Sequence, residues 1–248
     1  MRLLILGGTT EASALARRIS GRADLEAVLS FAGRTSGLVP PPIPFRVGGF
    51  GGIPGLKTYL AETKTDAVVD ATHPFAAQMS RHATTACGDL GVPLARFTRP
   101  PWLRRDGDRW SSVPDMDSAV RALGETARRV FLTIGGLQLA AFGAAPRHHY
   151  IVRTIERPDT IGLLPSHRLI LARGPFGVAG EIALMREERV EVLVTKNSGG
   201  AATEAKLAAA RVLGVEVVMI ERPATGDGPG FDTVDAVLHW IEAHRPAP

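Results

Sequence analysis

Apolar residues fall along the chain in two signatures. Short, mostly apolar runs, at residues 2 to 6, 25 to 29, 66 to 70 and 92 to 97, each stop at a Gly, Pro or polar cluster. Such runs predict strands buried on both faces. Between them apolar residues recur at helical spacing over residues 12 to 19 and 53 to 62, and a small-residue helix pattern leads to Gly91. A short strand at residues 45 to 47 follows the Pro-rich link 40 to 44 and precedes the Gly48–Gly52 turn. Later strands are expected at 110 to 113, 130 onward, 150 to 155, 168 to 172, 190 to 195 and 215 to 220, with helices at 115 to 123 and 233 to 243. Strand and helix alternating at this spacing argue for an α/β chain with parallel sheets.

The pattern repeats. Residues 66 to 100 and 190 to 223 share one plan, and in each the Gly before the last strand precedes an Arg-Pro by eight positions, Gly91 to Arg99 and Gly214 to Arg222. Val130-Phe-Leu-Thr-Ile-Gly135-Gly136 echoes Leu3-Leu-Ile-Leu-Gly7-Gly8 in the same order. Two lobes follow, residues 1 to 100 and 101 to 248, joined by a Pro- and Arg-rich stretch without period near 97 to 108. Ligands of open parallel sheets bind at the carboxyl ends of the strands, so a cleft between the lobes is the expected site. The sheet that takes the last strand of each duplicated unit is left open, including exchange between lobes.

Composition narrows the function. With 248 residues and 45% hydrophobic content each lobe can fill a core. The single cysteine, Cys87, excludes an internal disulfide and a CxxC metal site. No apolar run reaches the length of a membrane span, and the amino terminus enters a Gly-Gly turn too soon for a signal peptide, so the expected location is cytoplasmic. A net charge of +4 does not suggest nucleic acid. Of 29 basic residues only four are lysines, and arginine's planar fork suits carboxylate and phosphate.

Candidate chemistry sits at strand ends. Gly7, Gly8, Thr9, Thr10 and Glu11 follow a strand and open a helix, a setting in which backbone N–H groups receive a phosphate. The spacing is not GxGxxG, and a plain turn capped by Thr9 or Thr10 is the alternative. The second strand ends in Ser30, followed by Arg34 and Thr35 with no carboxylate nearby, which favours the 2′-phosphate of NADP over NAD. Thr72 and His73 lie in Asp70-Ala-Thr-His-Pro-Phe75; His73 can contact substrate, orient a nicotinamide, donate a proton or simply cap. Arg173, Lys196 and Arg222, with Arg99 as an echo, place bases at successive strand ends, read as anion binding or as surface charge. Metal is not expected, since HExxH and clustered carboxylates are missing. Nucleophilic catalysis lacks a GxSxG elbow.

Five motifs taken together, Leu6-Gly-Gly-Thr-Thr-Glu-Ala12, Asp70-Ala-Thr-His-Pro-Phe-Ala76, Arg173-Gly-Pro-Phe176, Thr195-Lys-Asn-Ser-Gly-Gly200 and Glu221-Arg-Pro223, closely resemble the precorrin-6A reductases of cobalamin biosynthesis. The resemblance implies two Rossmann-like lobes and NADPH-dependent reduction of one double bond of precorrin-6A, giving precorrin-6B. Cobalt-precorrin-6A reductases of the anaerobic pathway share the motifs, and a non-redox two-lobed binding protein stays open as a different class. On this reading NADPH lies on Gly7 to Glu11, Ser30, Arg34, Thr35 and Thr72. The carboxylates of the tetrapyrrole engage His73, Arg99, Arg173, Lys196, Asn197, Ser198 and Arg222, with His73 as proton donor. The reduced macrocycle would pass to the next biosynthetic enzyme.

Overall fold

The computed structural model describes residues 1–33, 39–224 and 228–246. The chain divides into two compact units, Met1–Pro100 with Ala224–Pro248, and Pro101–Pro223. The second unit therefore does not run to the carboxyl terminus as expected for residues 101 to 248, because the last 25 residues return to the first sheet.

The first unit contains β1 (Arg2–Leu6), α1 (Thr10–Ile19), β2 (Glu26–Phe31), β3 (Phe45–Val47), α2 (Gly52–Glu62), β4 (Ala67–Asp70), α3 (Ala77–Leu90) and β5 (Leu94–Phe97). The second contains β6 (Trp110–Val113), α4 (Met116–Ala122), β7 (Arg129–Thr133), β8 (His149–Thr154), β9 (His167–Leu171), α5 (Val178–Glu187), β10 (Val192–Lys196), α6 (Ala205–Leu213) and β11 (Glu216–Ile220). Then β12 (Gly230–Phe231) and α7 (Val234–Ala243) complete the first. The sequence pattern had not marked α5, whose inner face carries Glu181 and Met185 and whose first turn holds Gly180. A weak apolar stripe gave no periodic signal.

All strand pairs are parallel. The first sheet runs β12-β5-β4-β1-β2-β3, which is the dinucleotide-binding order 3-2-1-4-5-6 read from the other edge. The second runs β6-β11-β10-β7-β8-β9 and has the same order in five of its six positions, β11 to β9. Only the sixth positions differ in origin. The strand following β5 in the chain, β6, pairs with β11, and the strand following β11, β12, pairs with β5. The sixth strand and its helix are thus exchanged between the repeats.

Alternation along the strands explains the continuous apolar runs. Leu3, Ile5, Val69, Ala95 and Phe97 pack beneath Ala12, Leu15, Ala16 and Ile19 of α1 and Val237, Trp240 and Ile241 of α7. Leu4, Leu6 and Val68 face Leu56 and Leu60 of α2 and Ala83, Ala86 and Cys87 of α3. Each leucine so enclosed contributes about 1.5 to 3 kcal/mol. The repeat extends to helix ends: α3 and α6 stop at Gly91 and Gly214, both at φ 66°. There Val92 N–H donates to Cys87 O and Val215 N–H to Ala210 O, each 2.9 Å, a left-handed cap for which glycine is favoured.

Candidate functional site

At the carboxyl edge of the first sheet the strand order changes direction between β1 and β4, where ligands bind in such sheets. Gly7 N–H donates to Ser30 O at 2.8 Å, and a Cβ on Gly7 would stand 2.5 Å from Leu29 Cδ1. Gly8 adopts φ +112°, a conformation that favours glycine. Thr9 caps α1: its hydroxyl accepts Ala12 N–H at 3.2 Å and donates to Ala71 O at 2.7 Å. Thr9 therefore fastens the β1 turn to the β4 loop, while Thr10 and Glu11 open the helix. Glu11 is half-shielded and pairs with Arg99 at 2.8 Å. A carboxylate in the first turn would repel a phosphate there; Arg99 offsets it. Arg99, expected on the substrate, is thus placed at the phosphate turn.

Ser30 is buried at the end of β2, and Arg46 Nη1 donates to its hydroxyl at 2.7 Å. Arg46 also donates to Gly48 O and Gly49 O, both 3.0 Å, and lies 4.0 Å from the centre of the Phe50 ring. Arg34 and Thr35 lie outside the described residues. Arg46 was missed in the sequence, although it too stands at a strand end, beside the Gly48-Gly49 turn.

The end of β4 is organised by Asp70, which is 5% exposed. Its Oδ1 accepts Thr72 N–H at 3.1 Å and Thr72 Oγ1 at 2.6 Å, and its Oδ2 accepts Ser80 Oγ at 2.5 Å. Thr72 is thereby fixed at the mouth of the switch point. His73 Nδ1 accepts Phe75 N–H at 3.2 Å. An accepting Nδ1 requires the neutral ring with its proton on Nε2, so in this arrangement His73 can offer a hydrogen only from Nε2. Cys87 on α3 is inert: burial, then the nearby Asp70 charge, push its thiol up to about 12.

In the second unit the loop after β10 is tightly built. Lys196 ends β10, and burial pushes its ammonium down to about 8. Asn197 is buried; its Oδ1 accepts Trp102 N–H at 2.8 Å, and its amide donates to Trp102 O and Glu221 Oε2, each 3.3 Å. Its side chain therefore shapes the loop. Arg222 donates to Asn197 O at 2.8 Å and Ser198 O at 3.1 Å, so Asn197, Ser198 and Arg222 form one cluster. Arg173 is exposed in the loop after β9. That loop is held from below by Phe176, whose N–H donates to Ala202 O at 3.1 Å and whose ring lies 3.8 Å from the Arg153 guanidinium. Arg153 pairs with Glu181, both buried. Glu181 was not singled out in the sequence, because a lone carboxylate on a helix carries no motif.

The turn after β7 differs from its counterpart after β1. Gly135 and Gly136 lead into a 3-10 segment, Gly136–Ala144, with no side-chain cap, in place of an α-helix. A Cβ on Gly136 would meet Pro158 at 3.1 Å. The aligned N–H groups and dipole of an α-helical first turn are therefore lacking here.

The family model described as precorrin-6x reductase CbiJ/CobK matches residues 2–242. The chain belongs to this family. It is 49% identical over 247 residues to the precorrin-6A reductase of Rhodobacter capsulatus, covering 100% of this chain and 98% of that one. A cobalt-precorrin-6A reductase of Priestia megaterium is 27% identical over 250 residues, covering 96% and 97%. The solved structure titled CobK precorrin-6A reductase is 49% identical and superposes with a TM-score of 0.92 over 100% of this chain and 98% of that one. Membership and the Rossmann-like first sheet together imply a nicotinamide cofactor, and the family's members are reductases. A cavity of about 830 Å³ in the first unit, lined by Arg2, Ile43, Tyr59 and Lys64, opens at the amino ends of the strands, the edge opposite these loops. Among the described residues no group of three or more His, Cys, Asp or Glu could hold a metal, and no helix is long and apolar enough to cross a membrane.

Proposed function

We propose that this chain reduces one double bond of the metal-free precorrin-6A macrocycle in the cytoplasm, with NADPH as reductant. The observation that carries the reading is the first sheet's 3-2-1-4-5-6 order with a glycine turn and a capped α-helix at its switch point. Family membership supports the macrocycle, and the higher identity to the precorrin-6A enzyme than to the cobalt enzyme supports the metal-free substrate.

The first unit's residues fit the cofactor. Gly7 and Gly8 leave the backbone open, and the N–H groups of Thr10 and Glu11 face the position of a pyrophosphate. Ser30 and Arg46 stand at the adenosine end, where a fixed guanidinium favours a 2′-phosphate; Arg34 and Thr35 belong to the same proposed subsite. Thr72 orients the other half. A bound nicotinamide supplies the hydride. The chain's part is to hold the acceptor carbon in reach and to exclude water. His73 is the proposed proton donor in its imidazolium form: Nε2–H delivers the proton and leaves the neutral ring whose Nδ1 accepts Phe75 N–H. In the second unit Arg173, Lys196 and Arg222 engage macrocycle carboxylates, and Asn197 and Ser198 set the loop after Lys196 and hold Arg222 through their carbonyls.

The test is to mix the protein with NADPH or NADH and with precorrin-6A or its cobalt form, and to follow oxidation of the reduced nicotinamide. NADPH with precorrin-6A should give the highest kcat/KM. Equal rates with NADH would remove the 2′-phosphate assignment, and a preference for the cobalt form would replace the substrate.

A further inference from the structure

Arg96 lies on β5 directly beside Asp70 of β4 in register. Its neighbours Ala95 and Phe97 point into the core under α1 and α7, so strand alternation sends Arg96 and Thr98 to the other face, where Asp70 meets Ser80 of α3. There Nε and Nη2 of Arg96 are buried with no hydrogen-bond partner, and so is Oγ1 of Thr98. Buried polar atoms are nearly always paired, and an orphan calls for a ligand or water. The two orphaned nitrogens are also a particular pair. They share one edge of the guanidinium, the fork whose parallel N–H groups take both oxygens of a carboxylate. Arginine cannot escape by losing its proton. Asp70 accepts from Thr72 and Ser80 on its two oxygens, and Arg99 pairs with Glu11.

We propose that Arg96 and Thr98 form an anion subsite in the first unit that receives one carboxylate arm of the tetrapyrrole, with Arg96 donating from Nε and Nη2 and Thr98 from its hydroxyl. The inference rests on the reading of this chain as a precorrin-6A reductase and adds to the bases already assigned to the macrocycle. A cofactor phosphate is the other oxyanion available. It is disfavoured because the phosphate turn follows β1, two strands from β5 and so roughly 10 Å away.

The experiment uses Arg96→Met, Arg96→Lys and Thr98→Val in the full chain, with precorrin-6A and NADPH varied in turn. Arg96→Met should raise the KM for precorrin-6A about ten- to a hundredfold, the loss expected for a charge-assisted fork, while the KM for NADPH stays within about twofold of wild type. Arg96→Lys keeps the charge but not the fork and should fall between. The melting temperature of unliganded Arg96→Met should equal or exceed that of wild type, since two buried N–H groups without a partner have been removed. Should Arg96→Met fail to fold, Thr98→Val decides: a rise of about threefold or more in the precorrin-6A KM supports the subsite, and an unchanged value overturns it. A raised KM for NADPH with an unchanged KM for precorrin-6A would assign the fork to the cofactor. No change in either would leave it to a buried water; both results overturn the proposal. Wild-type protein that does not consume NADPH with precorrin-6A would sink the functional reading itself, an outcome seen before any variant is compared.

Discussion

The two units share the order of five of their six strands, yet their carboxyl edges are finished differently. After β1 the chain enters an α-helix capped by Thr9, with glycines that leave the backbone open and with Glu11 neutralised by Arg99. After β7 the corresponding Gly135-Gly136 enters an uncapped 3-10 segment closed over by Pro158. The second unit instead carries its polar groups at the ends of β9, β10 and β11, where Arg173, Lys196 and Arg222 put cations at three strand ends, Arg222 bound to the Asn197 loop that also holds Trp102. On the reading proposed above, one scaffold would thus serve two kinds of anion recognition. A dipole and backbone N–H groups suit a pyrophosphate, and separate side-chain cations suit carboxylates spread around a flat macrocycle.

Matched substitutions sharpen the contrast. Gly8 and Gly135 both have positive φ, +112° and +79°, so alanine at either should cost stability by about 1 to 2 kcal/mol in thermal unfolding. Only Gly8→Ala should raise the KM for NADPH, by about tenfold or more, through crowding of the phosphate turn. Comparable cofactor losses from Gly135→Ala would erase the distinction between the units.

Next in size is Lys196. With its ammonium pushed down to about 8 in the unliganded protein, the charged form exists below that pH and is lost above it. The sign follows directly: kcat/KM for precorrin-6A should fall as pH rises through about 8, whereas the affinity for NADPH should not. Lys196→Arg, cationic throughout, should abolish that limb. Lys196→Ala should lower kcat/KM about tenfold at neutral pH. A limb that persists in both variants would belong to another group.

Arg46→Ala should raise the KM for NADPH about fivefold more than that for NADH, with precorrin-6A unaffected; Arg173→Ala should do the reverse, weakening only the macrocycle by about fivefold. Smallest is the cap itself. Thr9→Ala and Asp115→Ala each remove one N-cap, of α1 and α4, and should cost about 1 kcal/mol in chemical denaturation. Thr9→Ala should cost more, since its hydroxyl also donates to Ala71 O.

The sequence shows the scaffold clearly where structure is local. The runs at β1, β4, β7 and β10 are apolar without break because both sheet faces are covered, and the Gly91 and Gly214 caps announce the repeat. The exchange of sixth strands is a pairing decision between segments more than a hundred residues apart, so no window of sequence contains it. Two-residue β12 carries too little pattern to be found at all. At the site, the glycine turn after β1 was readable as a turn because its glycines adjoin a strand and a helix. Arg46 and Arg96 were not, since what distinguishes them is what they touch or fail to touch. Asn197 shows the converse: its motif drew attention as a substrate contact, and its side chain proves to hold the backbone of Trp102.

Hydrogen exchange with NADPH alone, before any macrocycle is added, tests the division of labour most directly. Protection should appear over residues 7 to 13 and around 30 and 46 to 50, with residues 135 to 144 and 195 to 200 unchanged. Protection of the second unit's loops, with the Gly7 turn exchanging as before, would contradict the account.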